Sequence, residues 1–214
     1  MTTCSCNEGE CMKSDIERTN IVIVGRWNRF ILNPDWVSRT LFESDKIQVE
    51  FSFDLLLPPR YVYDSIRLTT LDDRVIFTAL SNSDEYMKIT ESIALKLINL
   101  LPHTPISGLG YNYGFSSAEH HIDEIVSFND VFDRVLKSSL YRAVIKRNYQ
   151  FEDYTLNVEH TQVENGLNID FNYHYSFAFF KDNFNKLLGK MISHKKQTEN
   201  IINNVYGEEC NADQ

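Results

Sequence analysis

The loop of residues 120–124, His-His-Ile-Asp-Glu, places two imidazoles and two carboxylates within five residues. Imidazole nitrogen and carboxylate oxygen are the ligands that zinc and similar divalent ions take from proteins. The spacing disfavours a metal site, because adjacent side chains in an extended segment point to opposite sides. We expect a solvated polar loop and predict no cofactor. His120, His121 and Asp123 are the metal ligands under the alternative, a metal-dependent hydrolase.

A second candidate is the segment of residues 26–29, which follows a short buried strand and precedes a helix start. Trp27, between Arg26 and Arg29, has the chemistry to stack on a base or to bind a carboxylate. Loops at strand ends often bind ligands, so this loop is the candidate site of a small-ligand sensor. The alternative is structural: Trp27 anchors the loop, and one arginine pairs with Asp35 or Glu43.

A third candidate is a strand whose alternate residues are Gly108, Gly110, Asn112 and Gly114, which leaves one face nearly bare and the other aromatic. Glycine in a strand often marks a place where another group approaches the backbone closely. We expect a helix, the one predicted over residues 82–101, to lie on this bare face. A ligand or a partner chain on that face is the alternative.

Charge limits the classes of partner. The chain carries a net charge of −9, with 9 basic and 14 acidic residues over residues 20–127 and 10 basic and 8 acidic over residues 128–196. This distribution lacks the basic stripe of a duplex-binding domain, so we exclude duplex DNA. Lys186 and Lys190 lie on the polar face of the closing helix. They are the candidate residues for weak binding of single-stranded nucleic acid, and a solvated helix face explains them equally well.

Composition indicates an ordinary globular protein. The chain has 214 residues, of which 43% are hydrophobic and 24% charged. No apolar run reaches the roughly 20 residues of a membrane span, and the first 20 residues are too polar for a signal peptide, so we expect no membrane partner. All four cysteines, Cys4, Cys6, Cys11 and Cys210, lie in polar tails. This usage favours a reducing compartment without a disulfide framework, and we predict a cytoplasmic location.

The elements that must position these candidates repeat along the chain. The pattern Asp-x-x-x-Arg-x-Leu begins at Asp35 and again at Asp130, 95 residues later, and the strands that follow keep nearly the same lag. Such repetition predicts a duplicated unit. The predicted elements of the first unit are strand 21–25, helix 33–42, strands 47–53, 62–70 and 74–80, and helix 82–101. Those of the second are strand 106–115, a helix from Ser127, strands 142–151, 154–163 and 167–177, and a closing helix.

The expected fold class is therefore α+β, with two β-α-β-β-β-α pseudo-repeats forming a mostly antiparallel sheet whose helices pack on one face. The expected divisions are a flexible N-terminal tail at 1–19, a first half-repeat at 20–104, a second half-repeat at 105–194 in the same body, and a helix end with an acidic tail at 195–214.

Several finer expectations follow from periodicity and turn chemistry. Asn33 and Pro34 predict a capped helix start. Asn165-Gly166 predicts a two-residue hairpin that sets Val158 opposite Tyr173 and His160 opposite Phe171. The alternation in its strands predicts one apolar, aromatic face and places Asn157, Asp170, Asn172 and His174 on the other. The expected buried residues of the three long helices are Tyr86, Ile89, Ile93, Leu97 and Leu100; Phe128, Val131, Phe132, Val135 and Leu136; and Phe180, Phe184, Leu187, Leu188 and Met191.

The predicted order of elements resembles the duplicated saddle of the TATA-box-binding protein, and this resemblance implies topology alone. Residues 101–112 look like the passage from helix end to strand in sporadically distributed, uncharacterised bacterial proteins. That second resemblance implies a bacterial origin. Because such proteins often belong to mobile loci, it also implies a partner from a defence or toxin–immunity pair.

No nucleophile elbow, embedded cysteine or pair of carboxylates assembles a catalytic set in the sequence. Tyrosine and phenylalanine are abundant, at 11 and 14 residues, and the predicted strand edges are available for pairing. We therefore predict a non-catalytic protein-binding component, with a protein partner or a second copy bound at a sheet edge. The metal-dependent hydrolase, the small-ligand sensor and the weak single-stranded nucleic-acid binder remain the alternatives.

Overall fold

A computed structural model describes residues 12–51, 58–126, 131–137, 142–164, 166–176 and 184–206. The strands are β1 Lys13–Gly25, β2 Gln48–Glu50, β3 Arg60–Tyr63, β4 Ile66–Thr70, β5 Arg74–Ala79, β6 Ile106–Ser117, β7 Ala143–Gln150, β8 Thr155–Val163 and β9 Gly166–Ser176. The helices are α1 Pro34–Trp36, which continues as a π-helix over Val37–Phe42, α2 Asp84–Leu100, α3 Val131–Leu136 and α4 Lys190–Tyr206. Short 3-10 helices span Ile122–Glu124 and Phe184–Leu187.

These strands form one antiparallel sheet in the order β2-β3-β4-β5-β1-β6-β9-β8-β7. The first strand of each half lies at the central seam, where β1 pairs with β6. On the outer side of β1 the strands follow in the order β5, β4, β3 and β2, and on the outer side of β6 they follow in the order β9, β8 and β7. In both halves the last strand therefore pairs with the first, so the two halves have the same arrangement. The predicted α+β class with two pseudo-repeats is confirmed.

The first half differs from its prediction in two places. β1 begins at Lys13, so residues 13–20 extend a strand that was expected to start at residue 21 after a tail. The predicted strand 62–70 is two strands, because Asp64 adopts a φ of 51° and turns the chain between β3 and β4. The first half therefore has one strand more than the second. Of the predicted strand 47–53, only residues 48–50 are strand, and residues 52–57 lie outside the described part.

The sheet has one apolar face, and the long helices cover it. The odd-numbered residues of β6 from Leu109 onward and those of β9 are buried. Two of their tyrosine hydroxyl groups reach the helix layer: Tyr111 donates to the Leu187 carbonyl at 3.1 Å, and Tyr113 donates to the Met191 carbonyl at 2.5 Å. The even-numbered residues of the same strands point away from the helices. We call this second surface the open face.

The predicted start of α1 is confirmed, but the buried residues of α2 differ from the predicted ones. The Asn33 side chain accepts a hydrogen bond from Trp36 N, with Pro34 in the first turn, as predicted. On α2 the buried stripe is turned from the predicted one: Ile89 and Leu100 are partly exposed, and Thr90 and Glu91 are buried. The reason is that both buried polar side chains have partners, so burial does not follow hydrophobicity alone.

The later helices also differ from expectation. On α3, Val135 and Leu136 are exposed, so the predicted apolar stripe is wrong there, while Ser127 and Phe128 lie outside the described residues. In the closing segment Leu187 and Met191 are buried as expected, but Leu188 is exposed on the turn that precedes α4. The long helix then runs to Tyr206 and buries His194, Thr198 and Ile202.

The β8–β9 hairpin keeps its predicted faces with a different register. Val158 pairs with Phe171 and His160 with Ile169, two residues from the predicted partners. The cause is that Val163 pairs directly with Gly166, which therefore begins β9 instead of occupying the turn. A shift of two residues returns every side chain to the same face, so the division into apolar and polar faces survives.

Gly166→Ala should destabilise the protein by about 3 kcal/mol, because a Cβ strains a positive φ and here it also meets backbone. Gly166 has a φ of 128°, and its added Cβ would overlap the Ser117 carbonyl oxygen. Gly189 is a matched control: its φ is 83°, and an added Cβ there would meet nothing within 4 Å. Urea unfolding should show a loss for Gly189→Ala of about 1 kcal/mol. Equal losses in the two variants would contradict the contact with Ser117.

Candidate interaction surface

Five asparagines form a continuous hydrogen-bonded row across the open face, one on each of five neighbouring strands. Asn157 Nδ2 donates to Asn172 Oδ1 at 2.8 Å, Asn172 Nδ2 to Asn112 Oδ1 at 2.6 Å, and Asn112 Nδ2 to Asn20 Oδ1 at 2.8 Å. Asn148 Nδ2 donates to Asn157 Oδ1 and begins the row. We call this set the amide row.

The amide row follows directly from strand register. Each pair of neighbouring asparagines is also a pair of opposed residues in the sheet, from Asn148 opposite Asn157 through to Asn112 opposite Asn20. Opposed side chains on one face of an antiparallel pair lie about 5 Å apart, which is within reach of an amide. The row therefore joins the two halves of the sheet across the central seam and ends at β7.

Truncation in the middle of the amide row should cost more than truncation at its end. Asn172→Ala removes one donated and one accepted hydrogen bond, and we expect a loss of about 2 kcal/mol. Asn20→Ala removes one accepted bond, and we expect about 1 kcal/mol or less. Chemical denaturation of both variants measures the difference. A loss at Asn172→Ala no larger than that at Asn20→Ala would contradict the contribution of these hydrogen bonds to stability.

The bare strand of the third candidate is covered by neighbouring side chains. A Cβ on Gly108 would lie 2.7 Å from the His174 ring, and a Cβ on Gly110 would lie 2.5 Å from the Asn172 amide. At Gly114 it would overlap Arg18. The expectation that a helix lies on this face is wrong: α2 packs on the opposite, apolar face, and the glycines make room for larger polar neighbours.

Arg18 holds one end of the open face through three contacts. Its Nε lies 2.7 Å from Asp15 Oδ2, its Nη1 lies 3.0 Å from Asp170 Oδ1, and its Nη2 donates to the Phe115 carbonyl at 2.8 Å. Burial raises the pKa of Asp170, and the Arg18 charge acts in the opposite direction. Because these groups satisfy one another, they fix the conformation of β1 beside the bulge in its pairing with β6.

Sequence reasoning missed one pair of carboxylates on this face. Glu159 lies opposite Asp170, beside an open depression of about 410 Å³ that Arg142 and Thr161 also line. Each carboxylate has its own cation: Lys146 Nζ lies 2.7 Å from Glu159, and Arg18 lies 3.0 Å from Asp170. With both charges paired, the arrangement neutralises adjacent acids and offers neither a free base nor a metal ligand pair. Only strand register could have revealed it.

The loop of the second candidate holds its tryptophan inside. Trp27 is 5% exposed, and its Nε1 donates to the Ile23 carbonyl at 3.1 Å. Arg26 is exposed, and Arg29 Nε lies 2.5 Å from Asp72 Oδ1, instead of pairing with Asp35 or Glu43. Those two acids pair with Arg39 and Lys96. The indole therefore has no free face for a base or a ligand.

In the loop of residues 120–124, the two histidines contact different side chains. His120 Nδ1 lies 2.9 Å from Ser117 Oγ, and its ring packs edge-on against Tyr206 with centroids 5.0 Å apart. His121 Nδ1 lies 3.3 Å from Gln162 Nε2, and Asp123 is exposed on the 3-10 helix. Among the described residues, no group of three or more His, Cys, Asp or Glu side chains is placed to hold a metal ion.

The two lysines of the basic-face candidate differ in exposure. Lys186 is exposed on the second 3-10 helix, and Lys190 is half-buried at the start of α4. The nearby Lys195 is used internally: its Nζ donates to the Asn82 carbonyl at 2.8 Å and lies 3.0 Å from Asp84.

Under the helices lies a buried polar cluster that the sequence did not indicate. The His194 ring stacks on Tyr173 with centroids 4.0 Å apart, and its Nε2 lies 2.7 Å from the Tyr175 hydroxyl. Glu91 accepts hydrogen bonds from Gly189 N at 2.6 Å and Met191 N at 2.7 Å. Burial raises the pKa of Glu91 and lowers the pKa of His194 to about 4. These side chains join α2 and α4 to the sheet from inside the core.

The edge strand β7 combines pairing capacity with exposed apolar side chains. Within the described residues, β7 is hydrogen-bonded to β8 alone, over all eight of its residues. Val144, Tyr149 and the adjoining Phe151 are 41%, 45% and 41% exposed. The opposite edge, β2, has three residues. An unpaired strand edge is a template for another strand, so β7 is the strongest candidate docking site.

Comparisons of the chain with protein-family models, with curated proteins and with solved structures find no match. Among the described residues, no helix is both long and apolar enough to cross a membrane.

Proposed function

We propose that this protein is a non-catalytic interaction component that binds a protein partner along the free edge of its sheet. The observation that carries the proposal is β7, an eight-residue strand that is paired on one side. It contains the exposed side chains of Val144 and Tyr149 and adjoins that of Phe151. Edge strands recruit extended segments through main-chain hydrogen bonds, and alternate side chains supply specificity.

Chemistry along β7 favours a specific partner over unspecific aggregation. Lys146 and Arg147 lie within the strand and Arg142 precedes it, so the edge carries positive charge between its apolar side chains. Charges on an edge discourage indiscriminate pairing, and they select a strand that complements them. In the same proposal the partner belongs to a bacterial defence or toxin–immunity locus, an element that rests on the sequence resemblance alone.

Native mass spectrometry of the protein purified from its own host tests the proposal. We expect a defined complex with a second polypeptide, lost in Tyr149→Glu, which places a charge beside the pairing edge. Phe30→Glu is the matched control, because Phe30 is an aromatic residue that is 91% exposed in the loop after β1. A complex that survives Tyr149→Glu and is lost in Phe30→Glu would move the docking site to that loop. A bare monomer carrying a metal or small ligand would contradict the proposal.

A further inference from the structure

We propose that the strand bound at β7 is β7 of a second copy, paired antiparallel about a two-fold axis that passes between the two Asn148 residues. This inference rests on the proposed function and names its partner. A two-fold axis perpendicular to the sheet joins the sheets of two copies edge to edge and keeps both open faces on the same side. Each residue then faces the residue equally distant from the axis on the other copy.

The amide row supplies the first reason for an axis at Asn148. Within one copy Asn148 donates one N–H to Asn157. A side-chain amide has two N–H donors and an acceptor oxygen, so Asn148 retains one N–H and its Oδ1 at the sheet edge. Two such amides facing each other can exchange two hydrogen bonds. The row of five asparagines then continues into the row of the second copy.

Charge supplies the second reason. An axis at Lys146 would oppose two lysines, and an axis at Arg147 would oppose two arginines, and like charges directly opposite destabilise a strand pair. With the axis at Asn148, Lys146 faces Gln150 of the second copy, and no like charges are opposed. An axis at Tyr149 also avoids the clash, but it pairs only residues 148–150 within β7, against residues 146–150 for the axis at Asn148.

The helix side of the edge supplies the third reason. In this register Arg147 faces Tyr149 of the second copy, which allows the guanidinium to lie against an aromatic ring. Ile145 faces Phe151 of the second copy, and Phe151 already stacks on Tyr154 with ring centroids 4.7 Å apart. The pairing therefore covers the exposed aromatic side chains that end the apolar layer at β7.

Disulfide cross-linking tests both the pairing and its register in a variant whose four cysteines are replaced by serine. Asn148→Cys should cross-link to a dimer under mild oxidation, because opposed Cβ atoms lie about 5 Å apart. Lys146→Cys alone should not, since its two copies would lie about 13 Å apart, four residues along the strand. Gln150→Cys alone should behave likewise. A mixture of the Lys146→Cys and Gln150→Cys proteins should form the mixed dimer.

Sedimentation of uncross-linked protein provides the second readout. Asn148→Asp, which opposes two carboxylates, should weaken the dimer at least tenfold at neutral pH. Asn20→Asp, at the far end of the row, should leave the dimer affinity unchanged. Circular dichroism of each variant confirms that it folds.

Each outcome has a distinct meaning. Efficient cross-linking of Lys146→Cys alone overturns the register. A monomer at all concentrations, with no cross-link from Asn148→Cys, overturns self-pairing. The proposed function survives that second result if protein from the host still carries another chain that Tyr149→Glu releases. Both fail if the host protein is also free at β7.

Discussion

Glu91→Ala is expected to lower the free energy of unfolding by about 3 kcal/mol, because one buried and one partly buried backbone N–H group lose their acceptor. The Glu91 side chain is 1% exposed, and its carboxylate joins α2 to the first turn of α4 through Gly189 N and Met191 N. Each orphaned buried donor costs about 1–3 kcal/mol. For a protein of this size we expect the melting temperature to fall by about 10 °C.

Two further variants distinguish the loss of the Glu91 hydrogen bonds from a general effect of replacing a glutamate on α2. Glu91→Gln keeps one acceptor oxygen and should lose about half as much as alanine. Glu85→Ala changes an exposed glutamate in the first turn of the same helix, and it should change the stability by less than about 1 kcal/mol. Calorimetry of the three variants measures the series. A loss at Glu91→Ala no larger than at Glu85→Ala would contradict the buried bridge.

The second large effect is a loss of stability in mild acid through two buried histidines. Burial lowers the pKa of His194 to about 4, and the Lys190 charge acts in the same direction, against a hydrogen bond in which the ring Nδ1–H donates to Gln197 Oε1. Burial and the Arg147 charge lower the pKa of His160 to about 4. Both are depressed from the ordinary value of 6.5. The folded state therefore favours the neutral rings.

Because the folded state favours the neutral rings, the free energy of unfolding decreases when the pH is lowered. Each histidine contributes stability that is fully present above pH 6.5 and is lost as the pH falls through its folded pKa of about 4. A shift of this size corresponds to about 3 kcal/mol for each ring. Glu91 acts in the opposite direction: with a raised pKa, it contributes stability below its ordinary value of 4.5 that is lost as the pH rises through the raised pKa.

Urea unfolding between pH 7.5 and pH 4.5 measures this dependence. We expect wild-type stability to stay level down to about pH 6.5 and then to fall towards pH 4.5, and His194→Gln to show a flatter profile from a lower starting value. His174→Gln serves as the control for a histidine substitution outside the helix layer, because His174 lies half-buried on the open face. An unaltered slope in His194→Gln would show that the ring does not titrate with unfolding.

The sequence predicted which residues lie on the apolar face and which on the open face of the sheet. It did not predict the contacts between strands and helices. Alternation of apolar and polar residues predicted that Asn157 and Asn172 share the open face, because that alternation depends only on the two-residue period of a strand. The amide row depends on register across five strands, which the hairpin signal at Asn165-Gly166 set two residues away from the observed pairing.

The burial of Glu91 on α2 was likewise not predictable from the sequence. An amphipathic pattern assigns Glu91 to the solvent side of α2, since a glutamate raises no expectation of burial. Its partners are backbone groups about 100 residues later in the chain, and no local signal reports them. Likewise, the tryptophan between two arginines was predicted as a ligand loop or an anchor, and only the hydrogen bond from Trp27 to Ile23 distinguishes the two.

Residue-resolved hydrogen exchange at β7 tests most directly the central claim that this edge binds another strand. In the complex isolated from the host, and in purified protein at high concentration, we expect the outward-facing amides of residues 146–150 to exchange slowly. Dilution, or Tyr149→Glu, should restore fast exchange there and leave the seam between β1 and β6 protected. Amides of β7 that exchange at the same rate in the isolated complex and in the dilute protein would contradict the account.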